Sequence, residues 1–147
     1  MQDKKIAVIG GAGLEGRALA TELATAGYQV YIGSRDPLRA QETASKIMKA
    51  RNIEAERIVG MANLDAAKAA DIVFLTIPYD ALKDILDRMA PEIINKLIVD
   101  VIVPQTLRSP MLLNAKQLDR YRKHFGPGKS PSVTEEIYLY LHDLTGS

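Results

Sequence analysis

Three glycines near the amino terminus have the spacing of a phosphate-binding loop. Gly11, Gly13 and Gly16 follow the pattern G-x-G-x-x-G, in which the glycines permit a tight turn, close approach of a pyrophosphate and close helix packing. Glu15 suits the positive end of a helix dipole, and we expect it to face solvent rather than repel a diphosphate. The pattern predicts a dinucleotide site formed by the whole loop: Gly11, Ala12, Gly13, Leu14, Glu15 and Gly16.

The residues about 20 positions beyond such a loop indicate which dinucleotide is bound, since NAD sites carry an Asp or Glu there for the ribose 2′-hydroxyl. This chain has Ser34 and Arg35 instead. Their side chains can donate to a 2′-phosphate, and Arg39 adds charge one helical turn further on. Asp36 could hold the ribose of NAD, but its place before Pro37 favours helix capping. We therefore expect NADP(H).

The elements that must position these residues alternate between strands and helices. Helical spacing follows the glycine loop up to Gly27, resumes at Pro37, and runs from Leu82 towards Pro91, while Asn63 is expected to cap a short helix. Apolar runs predict five strands, of which the third is the weakest signal: residues 6–9, 29–32, 57–59, 72–77 and 97–103.

This alternation, without a hairpin signal of the Asn-Gly type, predicts a doubly wound parallel sheet of the Rossmann type with strand order 3-2-1-4-5. The chain of 147 residues is expected to form one domain, with a core over 1–104 and extra helices over 105–147. Ser132 and Glu135 have the spacing of a capping box for the last of these helices. Because no strand follows that helix, we expect a substrate domain beyond this chain.

The composition excludes several classes of function. Nineteen basic and eighteen acidic residues nearly balance, which argues against nucleic acid as a partner, and the absence of cysteine excludes thiolate chemistry and cysteine-bound metals. No export signal or membrane-spanning run of about 20 apolar residues is present, which predicts a cytoplasmic protein. No catalytic acid, base or metal site emerges, and His124 and His142 are expected on the surface.

With the loop, the Gly-Ser-Arg run at 33–35 and the Leu-Thr-Ile-Pro-Tyr run at 75–79 assembled, residues 5–104 resemble the NADP-dependent oxidoreductases that use the deazaflavin coenzyme F-420. The resemblance implies that Ser34, Arg35 and Arg39 surround the 2′-phosphate. It also implies that five further residues lie at or next to the nicotinamide end: Ile77, Pro78, Tyr79, Val103 and Pro104. Two departures are Ala12, where a hydroxyl residue often occurs, and the lack of the family's carboxyl-terminal helical domain, which completes the deazaflavin pocket and the dimer.

The resemblance implies hydride transfer between NADP(H) and coenzyme F-420, chemistry that the cofactors carry themselves, and a homo-oligomer. Turn chemistry alone also explains the Ile-Pro-Tyr run, with Asp80 capping the next helix. Two other functions stay open. One is the nucleotide domain of a prephenate-dehydrogenase-like or methylene-tetrahydromethanopterin dehydrogenase. The other is a non-catalytic domain that senses NADP(H).

Overall fold

The computed structural model describes residues 3–101 and 112–145, which form a parallel sheet covered by helices on both faces. The strands are β1 Lys5–Ile9, β2 Gln29–Ser34, β3 Ile58–Ala62, β4 Ile72–Leu75 and β5 Leu97–Asp100. The helices are α1 Leu14–Thr25, α2 Pro37–Arg51, α3 Asn63–Ala69, α4 Leu82–Ile93, α5 Ala115–Phe125 and α6 Val133–Thr145. Short 3₁₀ turns occupy Ala55–Arg57 and Tyr79–Ala81.

The strand order is β3-β2-β1-β4-β5 and every pair is parallel, which confirms the predicted Rossmann-type topology. In the central register Ile9 pairs with Gly33 on one side and with Leu75 on the other. The carboxyl ends of β1, β2 and β4 therefore meet at one edge of the sheet. In open sheets of this kind that edge is where ligands bind.

Two apolar layers explain why the strands are hydrophobic without alternation. Along β1, Val8 faces a layer built with α1 and α2, whereas Ala7 and Ile9 face a second layer built with α3, α4 and α6. Because both faces of the strand are buried, every position must be apolar. At about 25 cal/mol per Å² of apolar surface removed from water, these two layers are the main source of stability.

Two helix caps that the sequence predicts are present in the structure. Asp36 caps α2 by accepting a hydrogen bond from the Leu38 N–H (3.1 Å), with Pro37 as the first helical residue. The Ser132 hydroxyl accepts from the Glu135 N–H (3.2 Å), and the Glu135 carboxylate accepts from the Ser132 N–H (2.9 Å). This reciprocal pair is the predicted capping box at the start of α6.

Some element boundaries differ from the prediction. The third strand begins at Ile58 and runs to Ala62, because its pairing with β2 continues beyond Gly60. Asp80 lies in a 3₁₀ turn, and Ala81 is the cap residue of α4. Helix α4 also continues past Pro91 to Ile93, since Ile93 is fully buried and the Ile94 N–H still bonds to the Ala90 carbonyl.

The last helix, α6, lies against the core. Val133, Ile137 and Leu141 of α6 belong to the same apolar layer as β4 and α4. None of the helices within residues 3–101 and 112–145 combines the length and the hydropathy needed to cross a lipid bilayer.

Candidate functional site

A cavity of about 750 Å³ opens at the carboxyl ends of β1, β2 and β4. We call it the strand-end pocket. Ten residues that the sequence predicts for the site line it: Ala12, Gly13, Leu14, Glu15, Ser34, Arg35, Arg39, Ile77, Pro78 and Tyr79. The two remaining predicted glycines, Gly11 and Gly16, are buried outside this lining. Val103 and Pro104 lie outside the residues that the structure describes.

The glycine loop turns sharply at the end of β1. The left-handed residue of this turn is Gly10 (φ +78°), which precedes the G-x-G-x-x-G run. The Gly11 N–H then donates to the Gly33 carbonyl of β2 (2.9 Å) and to the Val8 carbonyl (3.1 Å). The turn is thus tied to two neighbouring strands before any ligand binds.

Gly13 and Gly16 exclude a side chain for different reasons. A Cβ at Gly16 would lie 2.5 Å from the Gly10 carbonyl oxygen and 2.6 Å from the Thr76 hydroxyl, so α1 could not pack against the turn. A Cβ at Gly13 would meet only the Gly10 carbonyl oxygen, at an ordinary 3.4 Å. Within the protein, therefore, Gly16 serves packing, and the space beside Gly13 is left open towards the strand-end pocket.

Gly13 is also the cap residue of α1, and it has no side chain with which to bind the first N–H groups of the helix. The first turn of α1, at Leu14 and Glu15, lines the pocket. Helix N-termini of this kind bind anions through free N–H groups and the positive end of the helix dipole. The Glu15 side chain is exposed, as expected.

One end of the pocket is basic. Ser34 ends β2 and is only 8% exposed, and its hydroxyl oxygen accepts from the Asp36 N–H at 3.2 Å. Arg35 and Arg39 are exposed, and neither forms an ion pair with another described residue. The Asp36 carboxylate caps α2. The arrangement offers an anion a buried hydroxyl and two guanidinium groups that form no ion pair with another described residue.

The other end of the pocket has apolar walls formed by Ile77, Pro78 and Tyr79. Strand β4 stops at Leu75, and the Thr76 hydroxyl donates to the Ile9 carbonyl (2.7 Å), which fixes the start of this segment beside β1. Tyr79 is 8% exposed, and its hydroxyl donates to the Glu136 carboxylate of α6 at 2.5 Å. Burial raises the pKa of Glu136, although its bonds from Tyr79 and the Leu112 N–H partly oppose this rise.

Some residues of the pocket are not predicted from the sequence. Asn63 also lines it, and its side-chain oxygen accepts from the Gly10 N–H at 3.3 Å. We expected Asn63 to cap a helix; it is instead the first residue of α3, after the cap residue Ala62. Its position directly after β3 was the available signal, since strand ends share this edge of the sheet. The other missed lining residues are Gly10, Thr76, Asp80, Ala81, Asp84 and Ile85.

Of the remaining titratable residues, Asp80 and Asp84 line the pocket and the two histidines do not. His124 and His142 are exposed on α5 and α6, as expected for surface residues. Across the described ranges, no three His, Asp or Glu side chains come together as a metal site would need. The strand-end pocket thus has a basic end at Arg35 and Arg39 and an apolar end at Ile77, Pro78 and Tyr79.

Comparison with known proteins agrees with this geometry. Residues 5–104 match the model of the family described as "NADP oxidoreductase coenzyme F420-dependent". The F420-dependent NADP reductase of Methanothermobacter thermautotrophicus is 41% identical over 100 residues, which are 68% of this chain and 43% of that protein. The enzyme of the same name from Methanocaldococcus jannaschii is 41% identical over 103 residues, 68% of this chain and 45% of that protein. The chain thus spans less than half the length of these relatives.

A solved structure supports the fold independently. The putative F420-dependent NADP reductase of Arthrobacter sp. FB24 superposes with a TM-score of 0.57 at 24% identity, covering 83% of this chain and 58% of that one. At this level of identity the likeness concerns the fold alone.

Proposed function

The chain belongs to the family of coenzyme F-420-dependent NADP oxidoreductases, and we propose that its strand-end pocket binds NADP(H) for hydride transfer. The observation that carries the proposal is the basic end of the pocket. There Ser34, Arg35 and Arg39 stand where NAD-specific sites place a carboxylate.

The proposed 2′-phosphate site rests on three groups with separate roles. The Ser34 hydroxyl is held at the pocket wall by the Asp36 N–H. The exposed guanidinium groups of Arg35 and Arg39 form no ion pair with another described residue and can make charge-assisted bonds to a phosphate. Asp36, the nearest acid, caps α2 and so does not take the role of the ribose-binding carboxylate. These contacts favour NADP(H) over NAD(H).

The proposed pyrophosphate site is the glycine loop with the first turn of α1. The residues present fit a diphosphate, because the space beside Gly13 is open and the helix N-terminus has no side-chain cap. The bonds from Gly11 to β1 and β2 hold the loop in shape, so little conformational entropy is lost on binding.

At the apolar end, the nicotinamide ring donates or accepts the hydride when the cofactor is bound. The role we propose for Ile77, Pro78 and Tyr79 is to border that ring with apolar surface, to exclude water and to hold the ring in place. Val103 and Pro104 remain predicted members of the same wall. Hydride transfer between two cofactors needs proximity and orientation more than a protein acid or base.

The electron partner that we propose is a deazaflavin of the coenzyme F-420 type, because the similar enzymes are F420-dependent NADP reductases. The proposal also takes residues 1–147 as one NADP-binding domain. Its support is the packing of α6 into the apolar layer that backs β4.

The test of the proposed cofactor is a calorimetric titration of the purified chain with NADPH and with NADH under the same conditions. We expect NADPH to bind at least about tenfold more tightly, equivalent to about 1.4 kcal/mol. Equal affinities, or tighter binding of NADH, would refute the 2′-phosphate assignment. Turnover is then tested by following NADPH formation from NADP and a reduced deazaflavin, and binding without turnover would leave a role in cofactor sensing.

A further inference from the structure

Helix α6 contributes a buried carboxyl group next to the apolar wall of the strand-end pocket. Glu136 is 2% exposed, and one of its carboxylate oxygens accepts from both the Tyr79 hydroxyl (2.5 Å) and the Leu112 N–H (3.4 Å). Tyr79 lines the pocket, whereas Glu136 does not. The pair therefore links a wall of the pocket to a helix that lies outside the family match at residues 5–104.

Packing alone does not explain an acid at this position. The α6 residues on the core side are otherwise apolar, namely Val133, Ile137 and Leu141. Removing a carboxyl group from water is unfavourable, and apolar replacement of buried ionisable groups is often neutral or stabilising. Two buried donors use this acid as their acceptor: the Leu112 N–H, through a long bond, and the Tyr79 hydroxyl, through a short one that reaches the pocket wall.

Other contacts attach α6 to the core without Glu136. The Thr134 hydroxyl donates to Asp100 at the end of β5 (2.5 Å), and the Tyr140 hydroxyl donates to Asp87 of α4. Together with the apolar face of α6, these contacts fix the helix independently. We therefore expect α6 to stay in place when the Glu136 bond is removed.

We propose that Glu136 is a positioning residue that holds the Tyr79 ring in the orientation required at the nicotinamide end of the pocket. A tyrosine ring has only two side-chain torsions, so one bond at its hydroxyl restricts the direction of the whole ring. The inference rests on the proposed function, since it assigns the apolar end of the pocket to the nicotinamide. As a consequence, α6 affects the binding of the nicotinamide half of the cofactor and leaves the binding of the adenosine half unchanged.

The experiment compares two probes on the full chain. NADPH occupies both ends of the proposed site, whereas adenosine 2′,5′-bisphosphate can reach only the basic end. We expect Glu136→Leu to weaken NADPH binding about five- to tenfold, the size of one ordinary hydrogen bond, and to leave the bisphosphate affinity unchanged. Glu136→Gln retains an oxygen acceptor for Tyr79 and should restore NADPH binding and the fluorescence of bound nicotinamide.

A matched control is Glu135→Ala, which removes the capping box of α6 without touching Tyr79. This variant should lower thermal stability and leave both affinities unchanged. If it weakens NADPH binding as much as Glu136→Leu does, or if Glu136→Leu weakens both probes equally, the role of Glu136 is structural and the inference is wrong. An unchanged NADPH affinity in Glu136→Leu also overturns it.

If Glu136→Leu fails to fold, Tyr79→Phe tests the inference instead, because it keeps the ring and removes only the hydroxyl that bonds to Glu136. We expect the same selective loss of NADPH affinity; an unchanged affinity refutes the inference. If the unaltered chain binds neither probe, the proposed function itself fails, a result that differs from every outcome above.

Discussion

The guanidinium group of Arg39 donates a hydrogen bond to the carbonyl oxygen of Ala12, with Nη2 and the oxygen 3.4 Å apart. This contact joins the first turn of α2 to the glycine loop. Arg39, a residue of the proposed 2′-phosphate site, therefore also contacts the loop of the proposed pyrophosphate site. A bond of this length is weak, so Arg39 can turn to a phosphate at little cost.

Arg35→Ala should weaken NADPH binding by about 1.5–3 kcal/mol, the range for a hydrogen bond to a charged group, and Arg39→Ala should have a smaller effect. NADH binding should change little, because NADH has no 2′-phosphate. Calorimetry with both cofactors measures this. Arg51→Ala, at the far end of the same helix, is the matched control and should alter neither affinity. An equal loss for NADPH and NADH would argue against a phosphate contact.

Gly13→Ala and Gly16→Ala should separate binding from stability. At Gly16 the new methyl group would overlap the turn, and such overpacking typically costs about 1–3 kcal/mol of folding free energy. At Gly13 the methyl group meets only an ordinary protein contact but occupies the space proposed for the diphosphate. We expect Gly13→Ala to lose NADPH affinity and, since alanine is a poorer helix cap than glycine, to lose some stability in urea denaturation, but less than Gly16→Ala. A stable Gly16→Ala variant would contradict the packing argument.

Asn63 should contribute to stability and to NADPH binding, because its side-chain oxygen accepts a hydrogen bond from the Gly10 N–H. Asn63→Ala removes the acceptor and should cost about 1 kcal/mol of stability, with weaker NADPH binding because the loop is less well fixed. Asn63→Asp keeps an acceptor but adds negative charge to the pocket, so it should retain the stability and still weaken NADPH. Denaturation and titration of both variants test this. If Asn63→Asp binds NADPH as tightly as the unaltered chain does, a negative charge at this position does not affect the ligand.

The stability contribution of Glu136 should fall as the pH rises. Burial raises the pKa of Glu136 above its ordinary value of 4.5, so the folded state binds the proton more tightly than the unfolded state does. The contribution is complete below pH 4.5 and is lost as the pH passes through the raised value. The free energy of unfolding of the unaltered chain minus that of Glu136→Gln should therefore decrease from acid to neutral pH.

This subtraction matters because other carboxyl groups act in the opposite direction. A backbone bond from Ser132 lowers the pKa of Glu135, and a side-chain bond from Gln117 lowers that of Asp143. Both contributions are lost as the pH falls, but they are present in both proteins and cancel in the difference. A difference that is constant with pH would show that Glu136 has the same pKa in the folded and unfolded states.

Features encoded by neighbouring residues could be predicted from the sequence. The glycine loop, the Ser34 and Arg35 pair and the cap at Asp36 each depend on a few adjacent residues, and the alternation of apolar strands with helices is sufficient for the strand order. Contacts between distant positions could not be predicted. Asn63 and Gly10 are 53 residues apart and Tyr79 and Glu136 are 57 apart, and only the folded sheet and the docking of α6 bring them together.

The bond between Asn63 and Gly10 also has a consequence for the order in which the site matures during synthesis. A nascent chain that ends after α2 already contains all three motif glycines, Ser34 and Arg35, yet the Gly10 N–H has no acceptor from Asn63. That acceptor arrives only when β3 has paired with β2 and α3 has started. The glycine motif is therefore complete early in translation, but the hydrogen bond that fixes the glycine loop through Asn63 can form only after α3 has been synthesised.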